Sequence, residues 1–213
     1  IMSYDGAWTM EGWFRVNALP TSPIDGGLIS LPANDLPCTS GGQYWYINTW
    51  SNGSITAGLQ SIGNEYSDTS LGTTFEVGAW MHLALQYHGD AEGSFYVDGQ
   101  LTTSFTDVGA GWNDDCPLYI GTHVGSSPHP SSADLATLHY TSHQKYDGDF
   151  SPAATIDADE DTVWLFTFEE TGSEDPTVVH SVVGDAAIAL GDTELTALGC
   201  DGVCAVGCEE EGL

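Results

Sequence analysis

Short runs of alternating apolar and polar residues recur along the chain, and clusters of Gly, Asn, Asp, Ser and Pro separate them. Successive side chains of a strand point to opposite faces, so a run with a period of two predicts a strand with one buried face. Residues 8–16 form the clearest run. Its predicted core face carries Trp8, Met10, Gly12, Phe14 and Val16, and its opposite face carries Thr9, Glu11, Trp13 and Arg15.

The same pattern predicts further strands at residues 44–48, 54–59, 80–87, 94–97, 100–105, 118–121, 135–140 and 163–168. In the run at 80–87 we expect Leu83 and Leu85 to point into the core. Two turn signals, Ser51-Asn52-Gly53-Ser54 and Asp98-Gly99, join neighbouring runs into hairpins. Many short strands separated by turn residues predict an all-β sandwich or barrel.

Helical periodicity is nearly absent, and the single candidate is one acidic turn at residues 157–161. From about Thr193 the chain becomes acidic and cysteine-containing, with Glu209-Glu210-Glu211 near its end. We therefore predict one domain over residues 1–192 and a partly ordered acidic extension over residues 193–213. The chain opens on Ile1-Met2 without a basic segment, so we expect it to belong to a larger multidomain protein.

The charge balance narrows the classes of partner. The chain has 31 Asp and Glu residues against two basic residues, Arg15 and Lys145, and its formal net charge is −29. Nucleic acids, phosphates and anionic membrane surfaces all call for several Lys or Arg, so these partners are disfavoured. No apolar run approaches the roughly 18–20 residues of a membrane-spanning helix, so we expect no membrane insertion. The charge favours solubility in a salty or extracellular medium, with calcium binding as the alternative.

The five cysteines form no CxxC pair and no zinc-type spacing with histidine. Cys38 and Cys116 each lie in a turn-rich stretch, and two such loops of a sandwich are well placed to be joined. We therefore predict a Cys38–Cys116 disulfide and a secreted or cell-surface location. The pairing of Cys200, Cys204 and Cys208 stays open.

A Cys38–Cys116 bond would make two polar loops neighbours. Oxygen atoms from both loops could then converge on one calcium ion. The candidate calcium ligands are Asp25, Asn34, Asp35, Asp114 and Asp115.

Aromatic residues in loops are the candidates for carbohydrate binding, because sugar faces stack on aromatic rings. Trp50, Tyr66 and Trp112 lie beside Gly, Asn, Asp or Ser and are predicted to bind ligand, with packing under a loop as the alternative. Trp45 and Trp164 have strand context, so we expect them in the core.

Patterns for catalysis are weak. The acidic run at 157–161 predicts a solvated surface loop, and the adjacent Glu169 and Glu170 would point to opposite faces of a strand. No Gly-x-Ser-x-Gly nucleophile elbow occurs, and His82 and His180 fit packed sheet residues better than catalytic bases. Structural roles are also favoured over a transition-metal site for His123, His129, His139 and His143. We therefore predict no catalytic residues.

Four motifs occur in the order found in laminin G-like, concanavalin A-like jelly-roll domains. Residues 8–14 (WTMEGWF) resemble the first strand of that family, and residues 78–84 (GAWMHLA) resemble its G-x-W-x-H-V-A strand. Residues 95–101 (FYVDGQL) resemble its L-Y-V-[DN]-G-x hairpin, and residues 117–121 (PLYIG) its P-L-Y-I-G strand. Residues 146–152 and 163–170 resemble its F-x-P segment and closing strand, so that the resemblance covers about residues 4–190.

The resemblance implies two antiparallel sheets packed face to face as a jelly-roll β-sandwich. Relatives of this kind include lectins, calcium-dependent binders, adhesion modules and glycoside hydrolases. Glucanases among them carry an E-x-D-x-E strand, which this chain lacks. Pentraxin-like relatives place acidic calcium ligands after the P-L-Y-I-G strand, where this chain has Thr122-His123-Val124-Gly125 without a carboxylate.

These observations predict a noncatalytic module of a secreted or cell-surface protein that binds a glycan or an extracellular protein. A glycoside hydrolase or lyase of the same fold is the first alternative. A structural or adhesion spacer without a small ligand is the second. No cofactor is firmly predicted, and calcium is the one candidate.

Overall fold

The computed structural model describes residues 6–21, 26–31, 44–60, 67–108, 119–123, 129–168, 178–180, 182–183, 187–189, 195–196 and 199–200. Within these ranges the secondary structure consists of strands and turns, without a helix. The strands in chain order are β1 (Trp8–Ala18), β2 (Gly26–Leu31), β3 (Tyr44–Thr49), β4 (Ser54–Gln60), β5 (Ser67–Thr74), β6 (Trp80–Tyr87), β7 (Glu92–Val97), β8 (Gln100–Thr106), β9 (Tyr119–Ile120), β10 (Thr122–His123), β11 (His129–Pro130), β12 (Ser132–Thr141), β13 (Thr162–Thr167), β14 (Val178–His180), β15 (Ala187–Ala189), β16 (Leu195–Thr196) and β17 (Gly199–Cys200).

Two sheets contain most of these strands. The six-stranded sheet has the order β13-β12-β1-β6-β7-β8, and the seven-stranded sheet has the order β10-β11-β2-β3-β4-β5 with β9 paired to β2. The strands are antiparallel to their neighbours, except that β11 runs parallel to β2. Strands β14 and β15 form a separate pair, and so do β16 and β17.

The facing sides of the two sheets form one hydrophobic core. The predicted inward face of β1 is confirmed, since Trp8, Met10, Phe14 and Val16 are all buried. The ring centroids of Trp8 on β1 and Trp45 on β3 lie 5.9 Å apart, and this contact joins the two sheets. The other core predictions are also confirmed, because Leu83, Leu85, Trp45 and Trp164 are buried in the same cluster. The all-β jelly-roll sandwich predicted from the sequence is therefore the fold of the chain.

The predicted hairpin turn at Asp98-Gly99 is confirmed. Asp98 has φ = 49° and Gly99 has φ = 76°, so both central residues adopt the left-handed conformation of the tight turns that match strand twist. Strands β7 and β8 pair from Val97 opposite Gln100 onward. The turn also supports a later segment, because the Phe150 amide donates to the Gly99 carbonyl at 2.7 Å.

Strands β2 and β5 are not predicted by the alternation of apolar and polar residues. β2 has the sequence GGLISL, which begins with two glycines and has no regular period. β5 has the sequence SDTSLGTT, whose Ser, Thr, Asp and Gly content is typical of a loop. Both strands form because neighbours in the sheet supply hydrogen-bond partners, with β2 between β3 and β9 and β5 beside β4.

A chain segment without regular secondary structure lies on the outer face of the six-stranded sheet. We call residues 142–156 the covering segment. It is attached to the β7–β8 hairpin by the Phe150 bond and by a 2.8 Å bond from the Leu101 amide to Asp149 Oδ1. Within it, the rings of Tyr146 and Phe150 stack with centroids 3.5 Å apart. The covering segment therefore buries side chains that an open sheet would present to solvent.

Candidate functional site

The antiparallel registers place the outward side chains of β1 beside those of its two neighbours. Glu11 lies between Ala84 on β6 and His139 on β12, and Trp13 lies opposite His82. Arg15 lies opposite both Trp80 and Asp134. The outer face thus contains two groups of functional side chains. The Glu11 cluster consists of Glu11, His82, His139, Lys145 and Tyr146, and the Trp80 patch consists of Trp13, Arg15, Asn17, Trp80 and Asp134.

The Glu11 carboxylate is the centre of the first group. Its Oε1 lies 2.9 Å from His139 Nδ1 and 2.5 Å from Lys145 Nζ. Its Oε2 lies 3.2 Å from His82 Nε2 and accepts a bond from the Tyr146 hydroxyl at 2.5 Å. Glu11 is only 2% exposed, and the four partners satisfy both of its oxygens. The sheet supplies two of these partners and the covering segment supplies the other two.

The Gln86 side chain holds the same segment one row further along the sheet. Its Oε1 accepts bonds from the backbone amides of Lys145 at 2.9 Å and Tyr146 at 2.8 Å. Its Nε2 donates to the Tyr146 carbonyl at 2.9 Å. The Gln86 side chain therefore bonds the backbone of Lys145 and Tyr146 as a neighbouring strand would. These bonds orient the two residues toward Glu11.

Burial and bonding act in opposite directions on the pKa of Glu11. Desolvation by burial raises this pKa, but the hydrogen bonds from His139 and His82, with the charge and bond of Lys145, hold it well below its ordinary value. Burial and the adjacent Glu11 carboxylate raise the pKa of Tyr146 well above its usual range. Glu11 is thus ionised and Tyr146 protonated throughout the neutral range, which is the pairing that their hydrogen bond requires.

These properties make Glu11 a structural anchor. A general acid of a glycosidase carries a raised pKa and reaches the substrate, whereas the pKa of Glu11 is lowered and its carboxylate is covered. His82 is buried as predicted, and its Nδ1 has no hydrogen-bond partner among the residues that the structure describes. The bond to Glu11 therefore places a proton of His82 on Nε2.

Acidification should lower the stability of the fold through Glu11. Because the pKa of Glu11 in the folded state lies below its ordinary value of 4.5, its contribution is complete above that pH and is lost as the pH falls further. We expect the Tm to fall between about pH 5 and pH 3. Thermal melts of the wild type and of Glu11→Gln at constant ionic strength measure this, because the variant should lack the Glu11 part of the fall. Glu76→Gln, a change at an exposed carboxylate, is the control and should keep it. A Tm that stays flat over this interval would contradict the anchoring role.

The Trp80 patch lies where the covering segment ends. Asp134 Oδ2 accepts two bonds from the Arg15 guanidinium, and Asp134 Oδ1 accepts a bond from the Asn17 amide at 2.9 Å. The guanidinium carbon of Arg15 lies 4.9 Å from the centroid of the Trp80 ring. Trp13 donates its indole N–H to the Ala153 carbonyl at 3.1 Å, at the edge of the covering segment. Trp80 itself is 38% exposed.

Among the predicted ligand-binding aromatics, Trp50 lies in the part of the chain that the structure describes. It follows β3 at the tip of the predicted β3–β4 hairpin and is 36% exposed. Its indole N–H donates to Thr56 Oγ1 at 2.6 Å, and its backbone amide donates to the Ser54 carbonyl at 3.0 Å. The ring is therefore held in one orientation with part of its surface in solvent.

The other predicted site residues lie outside the described residues. They are the ligand candidates Tyr66 and Trp112, the calcium candidates Asp25, Asn34, Asp35, Asp114 and Asp115, and the disulfide pair Cys38 and Cys116. The acidic run at 157–161 is exposed, as predicted for a surface loop. Of the histidines for which structural roles are favoured over a transition-metal site, His139 belongs to the Glu11 cluster, and His143 Nδ1 lies 2.8 Å from Thr141 Oγ1.

One group within the described residues has the composition of a metal site. Ligand atoms of His88, Asp90 and Glu92, at the β6–β7 turn, all lie within 4.8 Å of one another. Two carboxylates and one imidazole suit a divalent cation. Asp90 and Glu92 are exposed. Exposed acidic groups are frequent in a chain of this charge.

Two features of the site are missed by sequence reasoning. The alternation places Glu11 on the outward face, but nothing in it reveals that residues 142–156 fold back over that face. Trp80 is the aromatic of the G-x-W-x-H-V-A resemblance, but it is not among the aromatic residues predicted to bind ligand. One feature of the sequence could have revealed the Trp80 patch. Trp13, Arg15 and Trp80 occupy outward positions of neighbouring strands.

No helix in the described ranges is long and apolar enough to cross a membrane. A search of curated proteins found no match. Solved structures with similar folds include a protein from Bacteroides ovatus ATCC 8483 described as a "putative carbohydrate binding protein", with 12% identity and a TM-score of 0.64. That similarity covers 95% of this chain and 52% of the other, so the chain spans about half the length of the Bacteroides protein.

Two further structures resemble this fold. A heptameric SAP-like pentraxin from Limulus polyphemus has 15% identity and a TM-score of 0.50, with 96% of this chain and 87% of the pentraxin covered. A sialidase from Trypanosoma rangeli has 20% identity and a TM-score of 0.50, with 67% of this chain but only 21% of the sialidase covered. At these identities the likeness concerns the fold.

The sequence itself matches a family model over residues 2–140, which is more than half of the chain. The description of that family is the concanavalin A-like lectin/glucanases superfamily. The laminin G-like resemblance of the strand motifs is thereby confirmed. The chain belongs to the concanavalin A-like lectin/glucanase superfamily.

Proposed function

We propose that this chain is a noncatalytic binding module for carbohydrate or a protein partner, carried on a secreted or cell-surface protein. The observation that carries this proposal is the exposure of two tryptophan rings, Trp50 at 36% and Trp80 at 38%, on a sandwich whose other described tryptophans are half-buried or buried. Large rigid aromatic side chains at the surface are typical binding residues for sugar faces and for partner proteins.

The absence of catalysis is supported by the state of the Glu11 cluster. Among the described residues, Glu11 is the carboxylate most completely surrounded by titratable partners, and all four of its contacts hold it in place. A hydrolase of this fold needs two carboxylates facing one open cleft. The sialidase whose fold is similar overlaps this chain over only a fifth of its own length, so that likeness does not favour an enzyme.

The extracellular location is supported by the net charge of −29 and by the proposed Cys38–Cys116 disulfide. The calcium ligands proposed in the loops, Asp25, Asn34, Asp35, Asp114 and Asp115, and the loop aromatics Tyr66 and Trp112 remain part of the proposal. The Bacteroides ovatus protein, which has the highest TM-score of the three structures compared above, supports carbohydrate as the first ligand class to test.

Trp50→Ala should weaken binding of a glycan at the β3–β4 hairpin by about tenfold, because truncation removes a ring that the Thr56 bond orients in advance. A glycan array followed by calorimetry on the best glycan measures this. A reducing-sugar release assay on the same glycans checks that none is cleaved. Phe75→Leu, a buried change in the same region, serves as the control for packing. Sugar release by the wild-type chain would contradict the noncatalytic assignment.

A structural spacer is the second candidate function. It is favoured by the covering segment, which fills much of the outer face of the six-stranded sheet and so removes a surface on which a ligand could lie. Absence of binding to every glycan and to extracellular protein partners would favour the spacer.

A further inference from the structure

The part of the outer face that the covering segment leaves open contains the Trp80 ring and the polar side chains of Arg15 and Asn17. Hydrogen bonds to a buried carboxylate hold these polar side chains in place. Asp134 is 2% exposed, and both of its oxygens are occupied by Arg15 and Asn17. The two bonds from Arg15 hold the guanidinium against the Trp80 ring, since a planar fork bound at two nitrogens cannot rotate freely. The buried carboxylate thus positions the residues that reach solvent.

We propose that the Trp80 patch is a second ligand-binding surface of this chain and that its ligand is a neutral glycan. This proposal rests on the proposed binding function, and it adds a second binding surface and the chemical class of its ligand. The two tryptophans lie on different sheets, because Trp80 begins β6 of the six-stranded sheet and Trp50 follows β3 of the seven-stranded sheet. The two rings therefore belong to different sheets.

The charge of the patch selects a neutral ligand. Arg15 and Asp134 compensate each other, so the patch has no net charge of its own. An anionic glycan would approach a chain of net charge −29 against repulsion. A cationic ligand would meet the Arg15 guanidinium, which already lies against the Trp80 ring. A neutral sugar is repelled neither by the net negative charge of the chain nor by the Arg15 guanidinium.

The shape and chemistry of the patch suit a sugar ring. The apolar C–H face of a pyranose stacks on an indole ring, and its hydroxyl groups accept from donors such as Arg15 and exchange hydrogen bonds with an amide such as Asn17. Side-chain exposure is 31% for Arg15, and Asn17 is exposed. A standard protein interface uses roughly 20–30 residues a side. The covering segment limits the patch to a few side chains, which favours a small ligand over a protein.

The test is a glycan array probed with the whole chain and with Trp80→Ala, Trp80→Phe and Leu101→Ala. Leu101 is a matched control, because it is 44% exposed and lies on β8, two strands from β6. We expect a set of uncharged glycans to lose at least about tenfold in affinity with Trp80→Ala and less with Trp80→Phe, which keeps an aromatic face. The Leu101→Ala variant should keep these glycans.

Salt dependence separates the ligand classes. Affinity for a neutral glycan should change less than twofold between about 0.05 and 0.5 M NaCl, whereas binding of an anionic one should depend steeply on salt.

Thermal melts of each variant show whether a loss of binding is a loss of fold, and Trp80→Phe supplies the result if Trp80→Ala does not fold. The proposal is overturned if every glycan bound by the wild type is retained by both Trp80 variants, or if the lost glycans are charged. Binding that is lost only with Trp50→Ala would overturn this inference and leave the proposed function intact, whereas a wild type that binds no glycan would overturn the carbohydrate part of both.

Discussion

Glu11→Gln should destabilise the chain by about 3 kcal/mol, because the change removes the one charge that Lys145 and two histidines share in a buried environment. The glutamine has nearly the same shape, but one of the two carboxylate oxygens becomes an NH2 group, which only donates. Lys145 donates to one oxygen and Tyr146 to the other, so one of these two donors would lose its acceptor. For a domain of this size the loss corresponds to a fall in Tm of about 6–12 °C. Urea unfolding monitored by tryptophan fluorescence measures the free energy directly.

The matched control is Glu76→Gln, which makes the same chemical change at an exposed position and should stay within about 0.5 kcal/mol of the wild type. Lys145→Met tests the coupling, because combining it with Glu11→Gln should cost less than the sum of the two single changes. A loss below about 1 kcal/mol for Glu11→Gln would mean that the carboxylate does not anchor the covering segment.

The location of the effect distinguishes anchoring from general destabilisation. The backbone amides of Lys145 and Tyr146 both donate to Gln86, so they should exchange slowly with deuterium in the wild-type chain. In Glu11→Gln these two amides should exchange faster than those of β3 and β4 in the opposite sheet. Equal acceleration in both sheets would assign the loss to the whole fold.

The sandwich could be predicted from the sequence because its core obeys a local rule. A period of two in β1 and β6 decides which side chains face the core between the two sheets, and the rule needs no knowledge of the rest of the chain. Trp8 and Leu83 follow it. The Asp98-Gly99 turn follows another local rule, because both residues readily adopt the positive φ angles that it requires. The order of the strand motifs then identified the family.

The candidate site could be predicted only in part, because it depends on contacts between residues far apart in the chain. Glu11 and Tyr146 are separated by 135 positions, and the position of the covering segment over Glu11 has no local signal. Trp80 starts a strand whose other side chains are buried, and no local signal indicates that it lies exposed at the end of the covered face. Trp50 was identified because a turn sequence next to an aromatic residue is a local signal.

Gly99→Ala should destabilise the chain by about 3 kcal/mol for two separate reasons. Gly99 has φ = 76°, a backbone conformation that costs an L-residue about 1–2 kcal/mol. A methyl group there would also overlap the Phe150 carbonyl oxygen and would approach Pro152 Cδ to 2.8 Å. Since Phe150 is held by its own bond to the Gly99 carbonyl, the covering segment cannot move away without losing that bond.

Gly78→Ala separates the two reasons, because Gly78 has φ = 83° but a methyl group there would meet nothing within 4 Å. It should therefore cost about 1–2 kcal/mol, the backbone term alone. The difference between the two variants, read from urea unfolding, measures how firmly the covering segment is seated on the β7–β8 hairpin. Equal losses would show that the Phe150 carbonyl yields easily. In that case the segment that borders the Trp80 patch is movable, and the boundary of the proposed glycan surface at Trp13 would shift with it.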